Sequence, residues 1–150
     1  MITNFSEAKA ILATRSIKPT YQRLRILEAV SDTRDHPTIK ALYDKLIRTV
    51  PTLSKTTLYS TLELFAAKGL VTRLSIDAGE ARYDGFPAPH HHFHCERCGA
   101  ILDLDIACAT GRRGEVQGHA IKEVHGYFKG ICKDCLSRDH HKIPRRSSHV

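Results

Sequence analysis

Apolar residues recur every three or four positions through the first half of the chain. Phe5, Ala8, Ile11 and Leu12 line one side of a first helix, with Ser6 placed to cap it and an end near Arg15. Pro19-Thr20 opens a second helix, in which Leu24, Leu27, Ala29 and Val30 are apolar. Thr38, following Pro37, caps a third, where Ile39, Leu42, Tyr43, Leu46 and Ile47 keep helical spacing until Pro51. Ser54 caps a fourth, with Leu58, Leu62 and Phe65 at i, i+4 and i+7, and Gly69 stops it. The period then shortens. Residues 70–75 and 80–83 read as two strands around a turn at Asp77-Ala78-Gly79.

The second half has a different texture. Gly85-Phe86-Pro87-Ala88-Pro89 reads as a hinge, because two prolines and a glycine continue neither helix nor strand. Strand-like segments follow at 91–95, 99–105 and 119–131, with a poor, glycine-interrupted helix expected from Ile106 to Gly118. From Ser137 the chain has almost no apolar content and reads as a disordered tail. The expected class is α+β: a winged helix-turn-helix over 1–84, a hinge at 85–89, a small α/β domain over 90–136 and a tail over 137–150.

Composition sharpens this. A chain 41% hydrophobic and 26% charged is ordinary for a globular protein, and no apolar run is long enough to span a membrane. The N-terminal residues lack the pattern of a signal peptide, so the expected location is the cytoplasm. The net charge of +7 favours a polyanion, most simply nucleic acid. Residues 1–83 carry 13 Lys/Arg against 8 Asp/Glu, so the excess lies mainly in the helical half. In a winged helix the helix before the hairpin enters the major groove. Here that is 54–68, whose outward positions offer Lys55, Thr56, Thr57, Tyr59, Ser60 and Glu63. Arg73 and Arg82 on the hairpin, with Arg23 and Arg25 on the second helix, are candidates for phosphate contacts.

The candidate chemistry crowds into His90-His91-His92-Phe93-His94-Cys95-Glu96-Arg97-Cys98. Cys95-x-x-Cys98 and Cys132-x-x-Cys135 are two knuckles whose four thiolates suit a closed, structural Zn²⁺. Cys108 is the odd cysteine and reads as a small core residue. In an extended segment His90, His92 and His94 share one face, while His91 points the other way. With Asp84 and Asp103 they offer a second, sulfur-free site suited to Fe²⁺, Mn²⁺ or Zn²⁺. Two other classes fit parts of the pattern. A zinc enzyme would use His90, His92 and Asp84 as ligands and Asp103 as base, but it leaves the winged helix unexplained. A thiol oxidoreductase would use the CxxC pairs.

Taken together these motifs resemble the Fur family of bacterial metalloregulators. The resemblance runs from about Lys18 to Leu136. It is carried by Pro19-Thr20-Tyr21-Gln22-Arg23, His36-Pro37-Thr38, Ser54-Lys55-Thr56-Thr57-Leu58-Tyr59, Gly69-Leu70-Val71, Arg82-Tyr83-Asp84, the His90-to-Gly99 block and Gly130-Ile131-Cys132-x-x-Cys135. It implies a homodimer on a palindromic operator in double-stranded DNA, with the second domain serving dimerisation. It also implies structural zinc on Cys95, Cys98, Cys132 and Cys135, and regulatory Fe²⁺ or Mn²⁺ on His36, Asp84, His90, His92 and Asp103. Aspartate at 103 is similar to the peroxide-sensing PerR branch, where the iron-sensing branch usually has glutamate. That likeness implies a peroxide-responsive repressor with His36 and His90 as the oxidation targets, and an iron- or zinc-uptake regulator as the alternative. The chain departs from the family in a short segment between Asp103 and Gly118 and in having Val124 where many members place a histidine. A third metal site would have to draw on His91, His119 and His125.

Overall fold

The structure is a computed structural model that describes residues 5–76, 79–86, 90–106, 115–120 and 126–140. The chain divides into two compact units, residues 1–89 and 90–150. No helix among the described residues is long and apolar enough to cross a membrane.

The first unit is built from α1 (Phe5–Thr14), α2 (Tyr21–Ser31), α3 (Ile39–Leu46) and α4 (Lys55–Ala67), followed by β1 (Thr72–Leu74) and β2 (Arg82–Asp84). Three of the four helices start where side-chain caps place them. The hydroxyls of Thr20, Thr38 and Ser54 accept from the backbone N–H groups of Arg23, Ala41 and Thr57. The first helix differs from expectation. It already includes Phe5, so Ser6 lies inside it rather than capping it. The end of α4 follows from Gly69, whose φ of 65° suits glycine. Its N–H reaches the Ala66 carbonyl at 3.0 Å and the Leu70 N–H reaches Phe65 at 2.9 Å, closing a Schellman motif.

The periodic apolar residues meet in one core. Ala8, Leu12, Ile26, Leu27, Val30, Leu42, Leu46, Leu58, Leu62, Phe65 and Tyr83 are all buried there. The two strands are shorter than the sequence suggests. Leu70 and Val71 belong to the helical core, and pairing starts at Thr72↔Asp84 and ends at Leu74↔Arg82. Four helices followed by an antiparallel pair make a winged helix-turn-helix, with α4 in the position just before the hairpin.

The second unit contains β3 (His91–Cys95), β4 (Ile101–Leu104), β5 (Glu115–Val116), β6 (His119–Ala120), β7 (Tyr127–Gly130) and α5 (Lys133–His140). β3 is the middle strand of a three-stranded sheet, antiparallel to β4 and parallel to β7. The expected helix over 106–118 and the single strand over 119–131 are corrected in part. Residues 115–120 form a small hairpin, because Gln117 and Gly118 take φ of 51° and 82°, the signs a tight two-residue turn requires. Residues 107–114 and 121–125, with Cys108 and His125, lie outside the described residues. The expected tail is corrected as well. α5 runs through residues 137–140, since the second CxxC starts a helix and Ser137 donates its hydroxyl to the Asp134 carbonyl at 3.0 Å.

Two glycines separate conformational from steric cost. A Cβ at Gly69 would meet nothing closer than 3.6 Å, so Gly69→Ala carries only the left-handed backbone penalty, about 1 kcal/mol. At Gly85 the same atom would lie 2.6 Å from the Val30 carbonyl oxygen, on the end of α2. Gly85→Ala is therefore expected to cost more, about 2 kcal/mol or above. Urea unfolding of both variants checks the order, and equal losses would show that the α2 end yields.

Candidate functional site

Two groups of chemically capable side chains sit on β3 and its neighbours. The first is made of sulfur. Cys95 ends β3, and Gly99 turns the chain back with φ of 71°, its N–H donating to the Cys95 carbonyl at 2.8 Å. Parallel pairing sets Cys95 beside Gly130, and the Glu96 N–H donates to the Gly130 carbonyl at 2.8 Å. Cys132, just before α5, and Cys135, in its first turn, follow at once. The four sulfurs lie within 4.8 Å of one another, with Cys95–Cys135 at 4.0 Å and Cys98–Cys132 at 3.9 Å. Zn–S bonds of about 2.3 Å at tetrahedral angles put sulfurs about 3.8 Å apart, so these residues fit a zinc ion. A disulfide, with sulfurs about 2 Å apart, would need them to move.

The surroundings prepare the sulfurs unequally. Backbone N–H groups, that of Cys132 first and then that of Cys98, pull the Cys95 thiol down to about 6. Burial, with hydrogen bonds from the neighbouring cysteines, pushes Cys135 up to about 12. The Cys95 sulfur is thus the readier thiolate of the two, and a divalent cation would supply the charge that lets Cys135 follow. The Arg97 guanidinium donates to the Cys135 carbonyl at 3.2 Å and ties the two knuckles together.

The second group is nitrogen and oxygen. Asp103 on β4 stands directly opposite His92 on β3, so their side chains share a face. His90 Nε2 lies 3.2 Å from Asp103 Oδ1, and the His90 and His92 rings are 4.5 Å apart. The donor atoms of these three residues fall within 4.8 Å of one another. Two imidazoles and a carboxylate without sulfur fit Fe²⁺, Mn²⁺ or Zn²⁺. His94 is half-buried and does not join them. His91 faces away, as the alternation predicts, but it is buried too. Its ring meets the edge of Phe128, and a Cβ on Gly126 would overlap it. His119, on β6, is exposed.

Two further predicted ligands belong to the first unit. His36 is buried and holds a φ of 48° immediately before Pro37, a conformation that costs on the order of 1–3 kcal/mol. It persists because β2 clamps it. Arg82 Nη1 donates to the His36 carbonyl at 3.4 Å, the Tyr83 N–H donates to the Pro37 carbonyl at 3.1 Å, and Thr38 bridges to Arg82. Asp84 is buried at the end of β2, where its Oδ1 accepts from the Phe86 N–H at 2.8 Å. Arg34 in turn stacks 4.2 Å over the Phe86 ring.

On α4, Lys55, Thr56, Tyr59 and Ser60 are exposed, as is Arg73 on β1. Thr57 is committed locally, its hydroxyl 2.8 Å from Ser54 Oγ within the cap. Arg23 is half-buried, with one guanidinium nitrogen donating to the Lys18 carbonyl at 2.9 Å. Arg25 pairs with Glu28 at 2.9 Å. Arg82 serves the His36 peptide. The sequence signal for Thr57 and Arg82 was only residue type, which does not distinguish a DNA contact from a cap or a clamp.

The sequence model of the ferric uptake regulator family matches residues 14–128. The chain belongs to this family. Its members are transcriptional regulators and not enzymes, which sets aside the zinc-enzyme and thiol-oxidoreductase readings. The chain is 29% identical over 138 residues to the peroxide operon regulator of Bacillus subtilis, covering 90% of this chain and 95% of that protein. It is also 29% identical over 134 residues to the transcriptional regulator FurA of Mycobacterium tuberculosis, covering 85% and 89%. The crystal structure of the Vibrio cholerae ferric uptake regulator superposes with a TM-score of 0.66 at 25% identity, covering 83% of this chain and 98% of that one. These likenesses carry the α+β class, with an N-terminal winged helix and a C-terminal dimerisation domain.

The sulfur group makes a direct prediction. Cys132→Ser removes one of four sulfur donors, the one beside Cys98. Loss of one bound zinc per chain is expected in metal analysis. The second unit should lose more than about 3 kcal/mol of stability, since structural zinc supplies on the order of 10 kcal/mol of apparent binding free energy in small domains. A stable variant without zinc would argue that the knuckles hold the fold unaided.

Proposed function

We propose that this chain is a metal-dependent, peroxide-responsive repressor, acting as a homodimer on a palindromic operator in double-stranded DNA. The observation that carries the reading is the pairing of Asp103 with His90 and His92 in a sulfur-free donor set, 3.2 Å from carboxylate to imidazole. An all-N/O set holds Fe²⁺ or Mn²⁺ without quenching iron's reactivity in a thiolate cage. In this reading His36 and Asp84 complete the regulatory site, so that one ion draws ligands from both units. Metal then favours the posture in which both can reach it, and DNA affinity rises through that shift in population. The four cysteines keep a separate zinc ion that is closed to exchange.

Bound Fe²⁺ supplies one-electron chemistry toward hydrogen peroxide; Mn²⁺ at the same ligands does not. The role of this chain's residues is to hold imidazole carbon next to that chemistry. His36 and His90 are the oxidation targets, and their conversion to 2-oxo-histidine weakens them as ligands. The relation to the Bacillus subtilis peroxide operon regulator supports the peroxide assignment. The likeness to the Vibrio cholerae ferric uptake regulator keeps an iron- or zinc-uptake regulator as the second reading.

His36→Ala and Asp103→Ala are each expected to abolish the metal-dependent part of DNA binding. Zinc content and the circular dichroism spectrum should stay as in the parent protein. Unchanged metal-dependent binding in both variants would falsify the coupling. Peptide mass spectrometry after peroxide treatment separates the two sensor readings. A gain of one oxygen atom on His36 or His90 in the Fe²⁺ form, absent in the Mn²⁺ form, is the expected result. No such gain would move the assignment to metal uptake.

A further inference from the structure

β2 does two things at once within the first unit. Along one side it holds the His36 peptide, through Arg82 on the His36 carbonyl and the Tyr83 N–H on the Pro37 carbonyl. It then ends in Asp84. From its other side the Tyr83 ring runs into the core, fully buried. A phenol buried this way needs a partner for its hydroxyl. It finds Glu63 Oε1 on α4, at 3.3 Å. Burial first, and the Glu63 charge second, push the Tyr83 hydroxyl up to about 12, making it a weaker acid that remains a donor at any ordinary pH. Glu63 is four residues past Tyr59 and therefore on the same face of α4 as that exposed tyrosine. A rotation of α4 about its axis, or its sliding along β2, acts directly on the Tyr83–Glu63 contact.

We propose that Tyr83 is a positioning residue that hands the state of the His36–Asp84 edge to the recognition helix, through its hydroxyl bond to Glu63. The proposal rests on the regulatory-metal reading above, and deepens it by naming the link inside the DNA-binding unit. The step is mechanical. When His36 and Asp84 are both held, β2 is held between them, and α4 keeps the setting that the phenol fixes. Released ligands leave β2 free to shift, and α4 shifts with it.

The test uses the full-length zinc-loaded protein and a DNA duplex selected from a random library by the Mn²⁺-loaded parent. The quantity measured is the ratio of DNA affinities with and without Mn²⁺. A ratio cancels the direct electrostatic effect of Glu63 on DNA. Tyr83→Phe, which removes only the hydroxyl, is expected to lower this ratio by roughly threefold or more, with the Mn²⁺ affinity of the free protein unchanged. By linkage, the tightening of Mn²⁺ binding caused by DNA must fall by the same factor. Glu63→Ala, which leaves the core intact, should do the same, and Glu63→Gln, which keeps an acceptor oxygen, should restore most of the ratio. If Tyr83→Phe and Glu63→Ala keep the parent ratio and only lower the melting temperature, Tyr83 is a packing residue and the proposal is overturned. A parent protein with no Mn²⁺-dependent ratio, or a His36→Ala variant that retains it, removes the metal reading itself and this proposal with it.

Discussion

The pairing of β3 on both of its edges is the constraint on which the chemistry of the second unit depends. The antiparallel partner β4 sets Asp103 across from His92 and so makes the nitrogen and oxygen group. The parallel partner β7 sets Gly130 beside Cys95 and so delivers Cys132 and Cys135 to the first knuckle. A slip of one residue against β4 would turn Asp103 to the opposite face and leave two imidazoles with no carboxylate. A slip against β7 would carry the second knuckle about 3.3 Å along the strand, more than a Zn–S bond tolerates. The sulfur group therefore acts as a register lock. Zinc on four thiolates permits only one alignment of β7, and that alignment fixes β3, whose histidines are the other site.

The first unit shows a similar economy around β2. A left-handed histidine before a proline is an unfavourable local choice, and three contacts from β2 hold it. Next in the chain, Gly85 is pressed so closely against the end of α2 that no side chain fits, and Phe86 lies under Arg34. The segment from Arg82 to Phe86 is thereby fastened to α2, to the loop before α3 and to α4 at once. Strain stored at His36 is consistent with a residue whose imidazole must be aimed, since relaxing the backbone would re-aim it.

What was legible in the sequence follows the range of the interactions involved. The caps at Thr20, Thr38 and Ser54 and the stop at Gly69 are local, so residue type at a fixed offset is enough to place them. The alternation of His90, His91 and His92 is equally local. The parallel pairing of β3 with β7 joins residues more than thirty apart, and no periodicity encodes it. The hairpin at 115–120 was missed because its signal is two residues, Gln117-Gly118, inside a stretch with a weak helical pattern. Charge at Arg82 and a hydroxyl at Thr57 make both candidates for DNA contact, and the fold adds what residue type does not encode: the one donates to the His36 peptide and the other lies in the cap of α4. His36 is the clearest case. Nothing in its own surroundings marks it as a ligand, and only the likeness to a family suggested it, while the structure adds the positive φ that sets it apart from an ordinary buried histidine.

The separation of donor types along one short strand also explains how a single chain can keep one ion and exchange another. Four thiolates close a tetrahedron and leave no position for a small molecule, so that ion behaves as part of the fold. Imidazoles and a carboxylate bind less tightly and leave the coordination sphere open to further ligands, so that ion can report on its surroundings. Had His92 been cysteine, the second site would have gained affinity and lost reversibility. Had Cys95 been histidine, the register of β7 would rest on hydrogen bonds alone. His92 and Cys95 are three residues apart, and the one-residue alternation of β3 turns them to opposite faces, so the two ions do not compete for the same donors.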